Sequence, residues 1–339
     1  MSAVTAATDG GVARSVLDLS MVSDGSTSAQ ALAATTELAV QAERLGYGRF
    51  WVAEHHNMPT VASTSPAVLI AHVAAATTSM RVGSGGVMLP NHAPLVIAEQ
   101  FAMLEALHPG RIDLGLGRAP GTDPSTAIAL RRRADALGAD TFPRDLLELM
   151  GWLGDTRIEP GAWSTFRATP AAASRPTIVL LGSSDYSARL AGQLGLGFAF
   201  AHHFDVAGTL DAVELYRRHF EPSPDLAAPF QIVTAGVLAA DTAEEAEFLA
   251  GPARLAVLGI RTNRRTPLLS PEDAARHPDI DVARAMPSNR IVGDPTQVAA
   301  GLAGLIERTA AAEIMVSTMS YGLPERVHTL QLLAEHWPG

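Results

Sequence analysis

The chain has 339 residues, 47% of them hydrophobic, enough apolar material for one large core. With 25 Lys and Arg against 35 Asp and Glu, its formal charge is −10, which argues against a nucleic-acid partner. It contains no cysteine, which excludes disulfides, thiolate metal sites and a Cys nucleophile.

Residues 1–13 are small and polar, without the basic and apolar regions of a signal peptide, and are expected to be disordered. No apolar run reaches the roughly 18 residues of a membrane span. These features predict a cytoplasmic protein with one domain over 14–339.

From there, short apolar runs alternate with longer stretches of helical period. Strands are predicted at 16–20, 49–53, 81–89, 111–117, 177–181, 197–201, 230–239 and 313–317. Between them, apolar residues recur at i, i+3 and i+4 over 29–45, 66–77, 94–107, 184–194, 209–220 and 243–258. Thr27 or Ser28 can cap the first helix, Asp241 or Thr242 opens another, and Asp294-Pro295 begins one over 296–309. The densest basic run, Arg131-Arg132-Arg133, sits among alanines on a predicted helix and reads as a solvated face. Two stretches break the alternation. Residues 123–173 combine helical material with a loop rich in Gly, Pro and Trp, and 259–290 is rich in Arg, Pro and Ser without a period. Loops beyond about 15 residues are lids, binding loops or disordered segments, so 260–290 is read as a mobile lid, with a decorative insertion as the alternative.

Eight strands alternating with helices predict a parallel α/β sheet. The strand count, the length and the lack of a domain break favour a (β/α)8 TIM barrel over an open doubly wound sheet.

In a barrel, side chains just past the strand C-termini converge on one mouth. Here Glu54-His55-His56-Asn57 follows the second strand, Gly85-Gly86 interrupts the third, and Gly117-Arg118 ends the fourth. Gly182-Ser183-Ser184-Asp185-Tyr186 follows the fifth and His202-His203 the sixth. The histidines could equally satisfy buried backbone groups. No metal is expected, because the pairs are adjacent rather than four apart and no thiolate is available. Paired glycines in a strand mark either a bulge or the close approach of a ligand. Gly182-Ser183-Ser184 leads straight into a helix, as an ordinary cap or as a seat for a phosphate, and Arg118 on the neighbouring strand end favours the anion. Gly115-Leu116-Gly117-Arg118 lacks the glycine spacing of a dinucleotide fingerprint.

Four segments carry a resemblance that spans Val16 to about Ala334: LDLSMVSDGS, RFWVAEHHNMP, RVGSGGVMLPNHAPLVIAEQFAMLEALHPGRIDLGLGRAPGTDP and LLGSSDYSARLAGQLGLGFAFAHHF. The chain resembles the luciferase-like monooxygenases, in particular the bacterial single-subunit group. The resemblance implies a barrel, usually homodimeric, with FMN or the deazaflavin F420 at its mouth. It makes His55 the active-site histidine, puts Gly85-Gly86 under the flavin ring at a non-prolyl cis peptide, and puts Arg118 on the phosphate. Gly182, Ser183, Ser184 and Tyr186 fall in the phosphate loop. Two departures matter: Gly117 stands where the luciferase catalytic subunit has a reactive Cys, and Gly182 where it has a Glu. Thiol chemistry is therefore excluded and light emission is not implied.

The implied reaction takes FMN reduced by a separate flavin reductase and O2, forms a C4a-peroxyflavin under the closed lid, and oxygenates a small organic substrate. His55 would serve as base or hydrogen-bond donor, work suited to an unperturbed pKa of ~6.5. An Ala- and Arg-rich composition without Lys is compatible with a tailoring enzyme of natural products. The rivals are an F420-dependent dehydrogenase or reductase on the same scaffold and a non-catalytic flavin-binding subunit. Retention of His55, Arg118 and a full-length lid argues against the latter.

Overall fold

Capping chemistry sets several helix starts, and the strands are short apolar runs buried on both faces. The computed structural model describes residues 11–119, 121–131, 141–183, 185–203, 208–262, 264 and 266–338. Ser184, Arg132, Arg133 and residues 1–10 lie outside these.

The first third of the chain forms β1 (Ala13–Asp18), α1 (Ser28–Arg44), β2 (Arg49–Val52), α2 (Pro66–Ala76), β3 (Arg81–Ser84), β4 (Val87–Met88) and α3 (Pro94–Leu107). There follow β5 (Ile112–Gly117), α4 (Pro124–Arg131), α5 (Phe142–Trp152), β6 (Thr177–Gly182), α6 (Asp185–Gln193), β7 (Gly197–Phe200) and α7 (Thr209–Arg218). The last part holds β8 (Gln231–Ala239), α8 (Ala243–Arg261), α9 (Pro271–Ala275) and α10 (Ile280–Ala285). It ends with β9 (Ile291–Gly293), α11 (Pro295–Thr309), β10 (Glu313–Ser317) and α12 (Leu323–Glu335).

Eight strands close in the order β1-β2-β3-β5-β6-β7-β8-β10, with β10 returning to β1 and every pair parallel. This is the predicted (β/α)8 barrel. Register follows side-chain alternation. Leu17 lies opposite Trp51 and fills the barrel interior with Ala199, Ile232 and Met315, whereas Val16, Phe50, Val52 and Val316 pack beneath the helices.

Caps act where the sequence suggests. Thr27 accepts from Gln30 N in a reciprocal capping box, Thr242 accepts from Glu245 N, and Asp294 forms a second box with Gln297 ahead of Pro295.

Some expectations shift. β1 opens at Ala13, three residues before the predicted start and within the segment expected to be disordered, because Ala13 pairs with Glu313. The run 81–89 breaks at Gly85-Gly86 into β3 and β4, and β4 leans on β5. β9, a short strand beside the end of β8, and α12 escape the sequence reading. The stretch 259–290 is not a structureless loop. α8 continues to Arg261, and Ala274, Ile280 and Ala283 of α9 and α10 form a small core with Leu255. That segment is tied to the barrel mouth by Asp24 N donating to Leu268 O at 2.8 Å and Asn289 Nδ2 donating to His202 O at 3.1 Å. Among the described residues, no helix is long and apolar enough to cross a membrane.

The N-terminal end of the barrel is closed by charge. Arg49, the first residue of β2, is fully buried and donates from Nε to Glu313 Oε1 at 2.9 Å and from Nη2 to Glu313 Oε2 at 3.2 Å. Its Nη1 pairs with Asp113, which also accepts from Trp51 Nε1 at 3.0 Å and Arg81 Nη2 at 2.6 Å. Burial alone would raise the Asp113 carboxyl. The guanidinium groups of Arg49 and Arg81 overcome that and hold it below the usual range.

Candidate active site

At the opposite end, the strand C-termini frame a cavity of about 530 Å³. His55 reaches it from just past β2, Gly85 and Gly86 from between β3 and β4, and Gly117 and Arg118 from the end of β5. Gly182 and Ser183 come from the end of β6, His203 from beyond β7, and Thr234 from β8. A second cavity of about 360 Å³ continues from it under α8 and shares Leu19, His55 and His203. His55, Gly85, Gly86, Arg118, Gly182 and Ser183 are thus brought together at one mouth. Tyr186 is not among the lining residues, but the centroid of its ring lies 4.3 Å from Arg118 Cζ, a cation–π contact that orients the guanidinium. Ser184, also expected here, lies outside the described residues.

The Gly85-Gly86 peptide is cis. A Cβ on Gly85 would stand 2.7 Å from Leu17 Cδ1, and one on Gly86 2.7 Å from Gly115 O. Only bare backbone fits there, so the cavity floor is a flat peptide surface flanked by Leu17 and Leu181.

Glu54, fully buried, organises the loops on one side. His56 Nε2 and His92 Nε2 each donate to its Oε1 at 2.8 Å, and Met88 N donates to its Oε2 at 3.0 Å. Burial works to raise the Glu54 carboxyl, but the bonds from His92, His56 and Met88 outweigh it, and its pKa is lowered. Ligand-type atoms of Glu54, His56 and His92 all lie within 4.8 Å of one another. With both imidazoles directed at one carboxylate oxygen, the arrangement is that of a hydrogen-bond cluster. It turns His56 aside and leaves His55 to the cavity, where His55 N donates to Ser63 O at 3.1 Å.

His203, like His55, lines both cavities. Its backbone N donates to Thr234 O at 3.1 Å. Burial pushes its imidazole down to about 4, helped by the nearby charge of Arg290, so the ring is neutral at physiological pH.

Sequence reasoning saw the 202–203 pair without giving His203 a place in the site. It named Glu54 without a role and missed His92, Thr234 and Arg290. His92 lies three residues past the predicted strand 81–89 and could have been found by position, whereas Arg290 precedes β9, a strand outside the eight-strand count, so position carried no signal for it.

The family model for luciferase-like monooxygenases matches residues 14–312. The chain belongs to that family. It is 44% identical over 330 residues to a luciferase-like monooxygenase of Escherichia coli (strain K12), covering 96% of this chain and 97% of that one. Among solved structures, apo-MsnO8 superimposes with a TM-score of 0.86 at 35% identity, covering 96% of this chain and 97% of that one. The FMN complex of the oxygenating constituent of 3,6-diketocamphane monooxygenase from Pseudomonas putida gives a TM-score of 0.70 at 20% identity. It covers 96% of this chain and 98% of its own, and at that identity the likeness is one of fold. Within a family of monooxygenases, the chain is an oxidoreductase.

Proposed function

We propose that this luciferase-like protein is a two-component monooxygenase that takes FMN already reduced by a separate flavin reductase and uses O2 to oxygenate a small organic molecule. The observation that carries this reading is the mouth cavity, which joins a flat peptide floor, an arginine-and-serine end and a histidine in one space. Its volume of about 530 Å³ falls within the ~300–1,000 Å³ of cofactor and ligand pockets. The donor set suits a ribityl phosphate at one end and a planar ring at the other.

Reduced FMN, when bound, supplies the two electrons by which one oxygen atom of O2 enters the substrate and the other leaves as water. Arg118 and Ser183 would hold the phosphate through charge-assisted contacts, and Gly85 and Gly86 would seat the ring. Leu17, Leu181 and Ala199 keep water from the reacting atoms. His55, on the boundary between the cavities, would hold or move a proton at its imidazole as the reaction requires.

The test is an anaerobic titration with FMN, FMNH2 and F420, followed by air. Tight binding of FMNH2 with oxygen-dependent product formation is the expected result. Binding of F420 in preference to both flavins, with no oxygen chemistry, would assign the chain to the deazaflavin enzymes on this fold.

The assembly we propose is a two-fold homodimer through α2 and α3. These helices leave Val68 (70%), Met103 (52%) and Leu107 (63%) exposed, an apolar face suited to a self-complementary contact. Light scattering at micromolar concentration should give twice the chain mass.

A further inference from the structure

Arg290 closes the segment between α10 and β9, and its side chain lies along β8. A Cβ on Gly236 would stand 3.1 Å from Arg290 Cγ and 3.3 Å from its Nη1, so the missing side chain at Gly236 is what lets the arginine lie against the strand. Its Nε and Nη2 are shut off from solvent, and neither meets an acceptor among the described residues. Burial pushes the guanidinium down to about 10, with repulsion from Arg254 adding to the effect, yet it remains cationic near neutrality. Arg254 is itself matched by Glu247 at 2.6 Å. A cation whose polar edge is closed to solvent and met by no described counter-charge is a substantial cost to the folded state.

The two nitrogens form one edge of the planar fork. Arg49 presents the same Nε and Nη2 edge to both oxygens of Glu313 at the other end of the barrel. Among the described residues, Arg290 meets no carboxylate along that edge. It lines the second cavity, whose volume of about 360 Å³ lies within the ~300–1,000 Å³ range of small-molecule pockets. Among the described residues the lining includes a second cation, Arg261, and no Asp or Glu, while Met21, Met58, Val257 and Met319 supply an apolar wall.

We propose that this cavity is the substrate chamber and that Arg290 binds a carboxylate of the substrate, so that the substrates are small organic acids with an apolar body. A guanidinium on the cavity wall suits a carboxylate, whereas a phosphate dianion would call for further donors around its third oxygen. The acid would lie in contact with His55 and His203 at the boundary with the cofactor cavity. The word substrate rests on the monooxygenase reading, but the binding does not require turnover.

The experiment uses the full chain with and without FMN and two matched probe pairs: 3-phenylpropanoate with 3-phenylpropanamide, and octanoate with octanamide. Calorimetry should show at least one acid binding the parent about 10- to 100-fold more tightly than its amide, as a charge-assisted contact provides. Arg290→Met and Arg290→Gln should bind acid and amide alike. Both variants should melt at or above the temperature of the ligand-free parent, since an unmatched buried charge has gone. Equal affinities in both pairs for the parent, or a preference for acid that survives in the variants, overturns the proposal. Variants that melt well below the parent also overturn it, because Arg290 would then be structural. Measurements without FMN stand whatever the aerobic experiment gives, so the two readings fail separately.

Discussion

Arg49 and Arg290 occupy opposite ends of the same barrel and are solved in opposite ways. At the N-terminal end, Arg49 is fully buried and every charge near it is answered, by Glu313, by Asp113 and through Asp113 by Arg81. At the mouth, Arg290 keeps a fork edge that no described residue meets. Burial disfavours both cations, but coupling to two carboxylates raises the pKa of Arg49 whereas repulsion from Arg254 adds to the loss at Arg290. One end of the barrel is finished as structure, and the other is left open to ligands. That division follows from parallel strands, which send all their C-termini, and the loops after them, to one side.

The comparison predicts that mouth substitutions cost function and floor substitutions cost stability. His55→Asn should show the largest functional effect. Oxygenation should fall by about 10²–10⁴-fold, the usual range for a positioned acid or base, while FMN binding and melting temperature stay near those of the parent. Reduced flavin would then be spent on hydrogen peroxide, which a peroxide assay in air measures against product. Unchanged coupling in a folded variant would remove His55 from the reaction.

Arg49→Met should be the mirror case. Removing one member of a buried charge cluster leaves Asp113 and Glu313 under-compensated, at a cost of about 3–5 kcal/mol. Denaturant titration should show that loss, and the surviving folded fraction should keep the parental FMN affinity. A variant that kept its stability while losing FMN would break the division between the two ends.

Arg118→Ala tests the mouth more finely. FMN should weaken by about 10- to 150-fold, from roughly 1.5–3 kcal/mol for a charge-assisted contact, while riboflavin, which lacks the phosphate, changes little. Equal losses for both flavins would detach Arg118 from the phosphate.

The smallest effect concerns His203. Its pKa is lowered from 6.5 to about 4 in the folded chain. Between those values the unfolded chain binds a proton that the folded chain refuses, so stability falls as pH drops from 6.5 towards 4. In His203→Asn that part of the acid-induced decline should vanish, flattening the melting temperature across the window by a few degrees. An identical pH profile in parent and variant would show that another group controls it.

The legibility of this chain tracks the range of the interactions involved. Thr27, Thr242 and Asp294 are recognisable as caps because the bonds they make close within three residues. The strands at Arg49–Val52 and Glu313–Ser317 are legible as short apolar runs, and the mouth residues follow from where those runs end. β9 is three residues long and owes its existence to β8, so no local pattern announces it. α12 begins beyond the last strand in a stretch with little amphipathic contrast, and what fixes it is distant: Thr329 Oγ1 donates to Ala239 O at 3.0 Å, and Arg326 donates to Asp18. The break at Gly85-Gly86 is visible as paired glycines, but that β4 would settle against β5 depends on the closed barrel. The partner-poor state of Arg290 is the least legible of all, since it is defined by what many distant residues do not provide.

Glu54 has a mechanical meaning beyond its charge. One carboxylate receives His56 from the loop after β2, Met88 from β4 and His92 from the segment before α3. Three stretches that are separate in sequence are therefore pinned at a single node, one of them at Met88, two residues past the bare peptide at Gly85-Gly86. They have little freedom to shift independently, and a change in any one is felt by the other two, so substitutions at His56 and His92 belong to one coupled unit rather than two additive sites. A barrel is often pictured as a rigid tube carrying loops that can be exchanged one at a time. On this side of the mouth the loops form a single clasp, and remodelling the rim here means replacing the clasp as a whole.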